Sequence, residues 1–83
     1  MNTITHHPST RRFELQIEGQ TAYEEYALIP AGVAFAHTVV PPALGGRGLG
    51  GQLVQHALAW ARQEWLKVRP DCSFVCAYMD KHP

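Results

Sequence analysis

The sequence lacks an excess of charge of either sign, because its 7 basic and 7 acidic residues cancel. A neutral chain is a poor candidate for non-specific attraction to the backbone of nucleic acids or to an anionic membrane surface. It also lacks any apolar run near the roughly 20 residues that a membrane-spanning helix needs. The sequence therefore predicts no nucleic-acid partner and no membrane partner.

Cysteine is scarce as well, since the chain has only Cys72 and Cys76. Their spacing matches no zinc motif, and a disulfide within one helix would constrain little. The histidines show no metal-ligand spacing, so we expect no metal site. The polar N-terminus has no apolar region of the kind that secretory signals carry. Reduced thiols and the missing signal favour a cytoplasmic protein.

What the chain does have is the composition of one small globular domain. Its 83 residues are 46% hydrophobic and 17% charged, which argues against disorder. We expect residues 1–10 to form a flexible N-terminal tail and residues 11–83 to form a single domain.

Apolar residues in the first half of the domain recur with the period of strands. They alternate with polar residues from Phe13 to Ile17. Residues 21–29 are rich in strand formers, although Glu24 and Glu25 blur the alternation, and residues 32–40 form the third predicted strand. The turn before it has Pro and Gly at the positions of a type I turn. Short turns between consecutive strands predict antiparallel pairing.

In the second half the apolar period changes to that of a helix. The pattern predicts an amphipathic helix from Leu49 to about Leu66, a short strand over residues 66–69 and a last helix from Ser73 to about Lys81. The order β-β-β-α-β-α predicts an α+β fold with a mixed, mainly antiparallel sheet. We expect Trp60, Trp65 and Cys76 to pack in the interior.

A glycine-rich turn precedes the long helix. Five glycines fall in the seven positions 45–51, directly after the strand-ending pair Pro41 and Pro42. Backbone N–H groups of such a turn, together with the helix dipole, favour bound anions such as phosphate. Taken alone, such a turn is more often an ordinary loop before a helix than an anion site.

Three segments together resemble one family: His37-Thr38-Val39-Val40-Pro41-Pro42, Gly46-Arg47-Gly48, and Pro70-Asp71-Cys72-Ser73-Phe74-Val75 with a terminal His82-Pro83. They look like the GCN5-related N-acetyltransferase superfamily, and in particular its very small single-domain members. The resemblance runs from about residue 13 to the end. It implies a minimal form of that fold, with acetyl-CoA or free coenzyme A as the bound cofactor.

The resemblance also implies where coenzyme A would bind. Backbone groups of the turn would hold its pyrophosphate, and the end of the preceding strand would pair with its pantetheine arm. Gly45 departs from the family pattern, which has Arg or Gln there, so one side-chain contact is missing while the backbone cradle remains. The implied cofactor-binding residues are Val39, Val40, Gly46, Arg47, Gly48, Leu49, Gly50 and Gly51.

For catalysis, the resemblance implies Cys72 as the nucleophile and His37 as its base. Period-2 alternation predicts that His37 shares a strand face with Val33 and Phe35. Transfer of acetyl to a primary amine, either a protein lysine or a small amine, would follow one of two routes. The amine attacks acetyl-CoA directly, with Tyr78 as a candidate proton donor, or the acetyl group passes through Cys72. Structural roles for both Cys72 and His37 stay open at this point.

A non-enzymatic function is the alternative. The chain is short for a fold that usually adds strands and helices around the acceptor amine, and position 45 lacks the usual side chain. Both features also fit a non-catalytic module that binds coenzyme A or a partner protein. The sequence leaves the oligomeric state open.

Overall fold

A computed structural model describes residues 3–83, and its architecture is α+β, as predicted. Five strands form one mixed sheet, and two helices follow the fourth and fifth strands. The elements are β1 (Ile4–His7), β2 (Arg12–Ile17), β3 (Gln20–Ile29), β4 (Gly32–Val39), a 3-10 turn (Pro42–Leu44), α1 (Leu49–Gln63), β5 (Lys67–Pro70) and α2 (Ser73–Lys81).

The strands lie side by side in chain order, β1-β2-β3-β4-β5. The first four pair antiparallel through short turns, whereas β5 pairs parallel to β4 after the crossover through α1. The turn between β3 and β4 is not type I, because Ala31 has a φ of 59° where a type I turn needs a negative value.

The expected tail contains a strand. Within residues 1–10, Ile4–His7 pairs with β2, so the order of elements is β-β-β-β-α-β-α. His6 lies opposite Phe13 and stacks on its ring at a centroid distance of 4.2 Å, and His6 Nε2 lies 2.6 Å from the hydroxyl of Tyr26. These contacts join the partly buried strand to the core side of the sheet. Residues 1 and 2 of the expected tail lie outside the described part.

One face of the sheet packs against the helices and forms the core. The buried residues of the sheet and of the helices join in one cluster: Phe13, Leu15, Ala22, Tyr26, Val33, Phe35, Leu44, Leu49, Leu53, Val54, Ala57, Ala61 and Val75. Trp60 packs partly against this cluster, as predicted. The expectations for Trp65 and Cys76 are wrong. Trp65 is 93% exposed because α1 ends before it, and Cys76 lies on the exposed side of α2.

Within residues 3–83, neither helix has the length and apolar character that a membrane crossing requires.

Candidate active site

An opening lies beside the carboxyl end of β4. Strand β5 pairs only with Gly32–Phe35, so among the described residues no strand covers β4 beyond Phe35 on that side. The chain leaves β5 there, and the N–H of Cys72 donates to the carbonyl of Phe35 at 3.0 Å. Val39 is 36% exposed at the end of β4. Ligands of α/β sheets commonly bind where parallel strands end.

The glycine-rich turn leads from β4 into α1. Gly46 and Gly48 have φ values of 78° and 74°, a backbone conformation that glycine adopts without strain. Gly48 is the N-cap of α1, and none of the described side chains caps the helix. Helix geometry leaves the N–H groups of Leu49, Gly50 and Gly51 without a partner inside the helix. The turn therefore presents backbone donors at the positive end of a helix dipole.

The glycines of this segment have different roles. A Cβ built on Gly46 or Gly48 meets no atom of the other described residues within 4 Å, apart from its chain neighbours, so the space before the turn is open. A Cβ on Gly50 would lie 2.9 Å from the ring of Phe74, whereas one on Gly51 makes an ordinary contact of 3.9 Å with Tyr78. An open backbone cradle fits a pyrophosphate. Gly50 instead lets the first turn of α2 pack closely on the first turn of α1.

Arg47, the charged residue of the turn, is held by an acidic residue. The carboxylate of Glu18, which follows β2, accepts hydrogen bonds from both terminal nitrogens of Arg47, at 3.0 and 3.4 Å. The hydrogen bonds from Arg47 hold the pKa of Glu18 below its usual range. Both residues are exposed, so a phosphate that approaches the turn would compete with Glu18 for this guanidinium.

Cys72 lies at the start of α2, next to the opening. Its Sγ is 3.5 Å from the Thr38 hydroxyl oxygen. Burial raises the pKa of the Cys72 thiol, but the contact with the Thr38 hydroxyl and hydrogen bonds from the backbone N–H groups of Val75, Phe74 and Thr38 outweigh burial. The pKa of Cys72 therefore lies below its usual range, as is typical of a thiol at a helix N-terminus.

His37 does not lie on the expected face of β4. The pairing of β3 and β4 shifts between Glu25 and Tyr26, so that His37 pairs with Glu25 while Phe35 pairs with Tyr26. This bulge adds one residue, Ala36, and reverses the alternation that follows it. His37 therefore points to the exposed face, and Thr38 takes its place on the core face. The structure does not bring His37 and Cys72 together.

Instead, the bulge brings Thr38 to a residue that the sequence pattern did not single out. The Thr38 hydroxyl donates to Oε1 of Glu24, which pairs with Thr38 across β3 and β4. Glu24 is fully buried, and its Oε2 has no hydrogen-bond partner within residues 3–83. Burial raises the pKa of Glu24 to about 7, although the bond from Thr38 opposes the rise. The signal in the sequence was its position between Ala22 and Tyr26, two apolar residues of the same period.

Tyr78, the candidate proton donor, lies on α2 beside Gly51. Its ring stacks on His82 at a centroid distance of 4.3 Å. The two side chains line a groove of about 370 Å³ along α2, with Phe74, Ala77 and Lys81.

Comparison with known proteins gives one family. A family model described as GCN5-related N-acetyl-transferase matches residues 12–83. A search of curated proteins finds no match to the chain. The matched residues extend from β2 to the end of the chain and so include the turn, Glu24, Thr38 and Cys72.

Proposed function

This chain belongs to the GCN5-related N-acetyltransferase family, and on that premise we propose that it binds acetyl-CoA and transfers the acetyl group to a primary amine. Family membership supports acetyltransferase activity in general. The arrangement beside β4 supports acetyl-CoA binding and transfer to an amine, because a backbone cradle for phosphate and a thiol of lowered pKa flank one opening. The close packing of Phe74 on Gly50 keeps the cradle and the thiol side by side.

The cradle would hold the pyrophosphate of coenzyme A through the N–H groups at the start of α1. Gly46 and Gly48 keep the space before these groups clear, and Arg47 adds a charge at the rim. The uncovered edge of β4 at Val39 and Val40 would pair with the amides of the pantetheine arm, as a further strand would. Gly45 adds no side-chain contact.

Cys72 is the acetyl acceptor that we propose within the chain. Its thiolate attacks the carbonyl carbon of the thioester, the new S–C bond forms, and coenzyme A leaves and takes up a proton. The amine then attacks the acetylated Cys72, the amide bond forms, the Cys72 S–C bond breaks, and the amine loses a proton. The observation that carries this route is the position of Cys72 at the start of α2, where backbone N–H groups favour its thiolate and lower its pKa.

Direct attack by the amine on acetyl-CoA is the other route, in which Cys72 only lines the channel. Mass spectrometry of the protein after brief exposure to acetyl-CoA without amine separates the two. The covalent route predicts one added acetyl group on Cys72, and none on Cys76, which is exposed on the same helix. A protein that turns over acetyl-CoA but never carries acetyl on Cys72 uses direct attack.

Binding and turnover are tested separately. A coenzyme A titration followed by amide NMR should shift Val39, Val40 and residues 46–51, and the absence of binding at millimolar coenzyme A would refute the proposal. Turnover against a panel of amines is then compared for the wild type, Cys72→Ala, His37→Ala and the control Cys76→Ala. Loss of turnover only in Cys72→Ala supports the covalent route, whereas binding without any turnover would identify a non-catalytic module.

A further inference from the structure

Glu24 is an acidic side chain in an apolar core. It lies on β3 between Phe13 of β2 and Thr38 of β4, on the face that the helices cover, and it is fully buried. Oε1 accepts a hydrogen bond from Thr38, while Oε2 has no partner among the described residues. A buried carboxylate with a single hydrogen bond is strongly disfavoured, so this group readily accepts a proton.

Thr38 connects this carboxyl group to the thiol. Its hydroxyl oxygen bonds to Glu24 and lies 3.5 Å from Cys72 Sγ, and either Thr38 or Cys72 can donate in the second contact. A hydroxyl group donates one proton and accepts at its lone pairs, so Thr38 can accept from Cys72 while it donates to Glu24. The bulge at Ala36 is what turns Thr38 to this face.

We propose that Glu24 is the proton acceptor for Cys72, with the Thr38 hydroxyl as the relay, so that the thiol and the carboxyl group share one proton. This inference rests on the proposed role of Cys72 as the nucleophile. Glu24 acts through Thr38 and touches no substrate, so it is a positioning and proton-holding residue.

The proton balance closes within the three side chains. The S–H bond of Cys72 breaks and its proton goes to the Thr38 oxygen, whose own proton goes to Oε1 of Glu24. The net charge of the group is unchanged. The negative charge moves from the apolar core to the start of α2, where the N–H groups of Phe74 and Val75 stabilise it. The reverse transfer returns the proton toward the opening when coenzyme A leaves.

The surroundings of Glu24 and Cys72 determine how the two groups titrate. The pKa of Glu24 depends first on burial and then on the bond from Thr38. Glu25 and His37 lie on the opposite face of the sheet. The elements that pack near the core face, where Glu24 lies, carry other charged or titratable side chains besides Cys72. These are His6 on β1, Tyr26 on β3, His56 and Arg62 on α1, Lys67 and Arg69 on β5, and Cys76, Tyr78, Asp80 and Lys81 on α2.

The test is the pH dependence of alkylation by iodoacetamide, measured for each cysteine by peptide mass spectrometry without acetyl-CoA or amine. In the wild type the Cys72 rate should rise in two steps. Glu24 and Cys72 together lose their first proton near neutral pH. Loss of the second proton requires a higher pH, because it places two negative charges close together. The second step should raise the rate about tenfold above the plateau. Cys76, exposed on the same helix, is the internal control for the reagent.

Variants identify the partner and the relay. Glu24→Gln should give Cys72 a single step, because the second titrating group is gone. Thr38→Ser keeps the hydroxyl and should preserve the two-step profile, whereas Thr38→Val should shift the first step to higher pH because Glu24 loses its hydrogen bond. A wild-type profile with a single step at the same midpoint as Glu24→Gln would overturn the proposal.

A second measurement avoids substitutions in the core. The side-chain carboxyl ¹³C shift of Glu24 should titrate in two steps in the wild type and in one step near pH 7 in Cys72→Ser, whose hydroxyl keeps the hydrogen bond but does not ionise. Identical Glu24 titrations in the two proteins would equally overturn the proposal. Since neither measurement involves acetyl transfer, a protein without transferase activity can still show the coupling, and the two proposals fail separately.

Discussion

At the scale of single residues, the charged groups of the proposed site differ in how far other protein groups bind them. Oε2 of Glu24 has no hydrogen-bond partner in the described part of the chain, whereas Arg47 already has a carboxylate partner at the surface. The buried group therefore responds to pH, and the exposed group responds to competing anions.

The exchange of partners at Arg47 gives a prediction for coenzyme A affinity. Arg47→Ala should weaken binding about threefold to tenfold, because one exposed contact to phosphate is lost. Glu18→Gln should tighten binding about twofold, because it releases the guanidinium from a competing carboxylate. Isothermal titration checks both values. Arg62→Ala, an exposed arginine in the last turn of α1, serves as the control. Unchanged affinity in Arg47→Ala would remove Arg47 from the cofactor site.

Burial of Glu24 predicts a pH-dependent stability of definite sign. Its pKa is raised from 4.5 to about 7 in the folded state, so the folded protein holds a proton that the unfolded chain releases. The contribution of this bound proton to the free energy of unfolding is fully present below about pH 4.5 and is lost as the pH rises through about 7. The free energy of unfolding of Glu24→Gln minus that of the wild type should therefore increase by about 3 kcal/mol between pH 4.5 and 8.

Urea unfolding at both pH values measures this difference. The pKa of His6 is lowered, first by burial and then by the nearby His56 and His7, and its contribution rises with pH. Because His6 is present in both proteins, subtraction removes it. Glu25→Gln, at the next position on the opposite face, is the matched control substitution. A constant difference for Glu24→Gln would mean that folding does not raise the pKa of Glu24.

At the scale of elements, the two helices meet at their first turns, and neighbouring glycines there should respond to substitution with opposite signs. Gly50→Ala places a Cβ 2.9 Å from Phe74 and should destabilise the protein by about 1–3 kcal/mol. Gly51→Ala meets only an ordinary contact and should stabilise it by up to about 1 kcal/mol through helix propensity. Thermal unfolding measures both effects. If Phe74 causes the clash, Phe74→Leu should relieve much of the loss in Gly50→Ala.

Strands and helices followed from the sequence where the periods were regular, as in β2 and in α2, whose predicted bounds Ser73–Lys81 are those observed. Two features lacked such a signal. The polar strand β1 is held by ring contacts of His6 with residues far along the chain. The bulge at Ala36 depends on how β4 fits β3 and not on any local residue type, so alternation alone placed His37 where Thr38 lies. The glycine turn was visible because its chemistry is in the backbone.

At the scale of the whole molecule, the proposed ligand site lies beside the end of β4, whereas β1 forms the opposite edge of the sheet from β5. Hydrogen exchange with bound coenzyme A should therefore protect amides of residues 38–40 and 46–51 about tenfold, because binding closes the opening. Amides of β1 and β2 should be unchanged. Pantetheine, which lacks the pyrophosphate, should protect the end of β4 but not the turn. Uniform protection throughout the sheet would instead indicate general stabilisation.

The parallel pairing of β5 with β4 also has a consequence for the order of folding. Strands β1 to β4 pair with their neighbours in sequence, and such local contacts close early in folding. Thr38 and Cys72 are 34 residues apart and meet only when β5 and α2 are added after the crossover. We therefore expect the thiol to acquire its lowered pKa in the last stage of folding. A nascent or partly folded chain would carry an ordinary, weakly reactive cysteine, and reactivity would mark the completed fold.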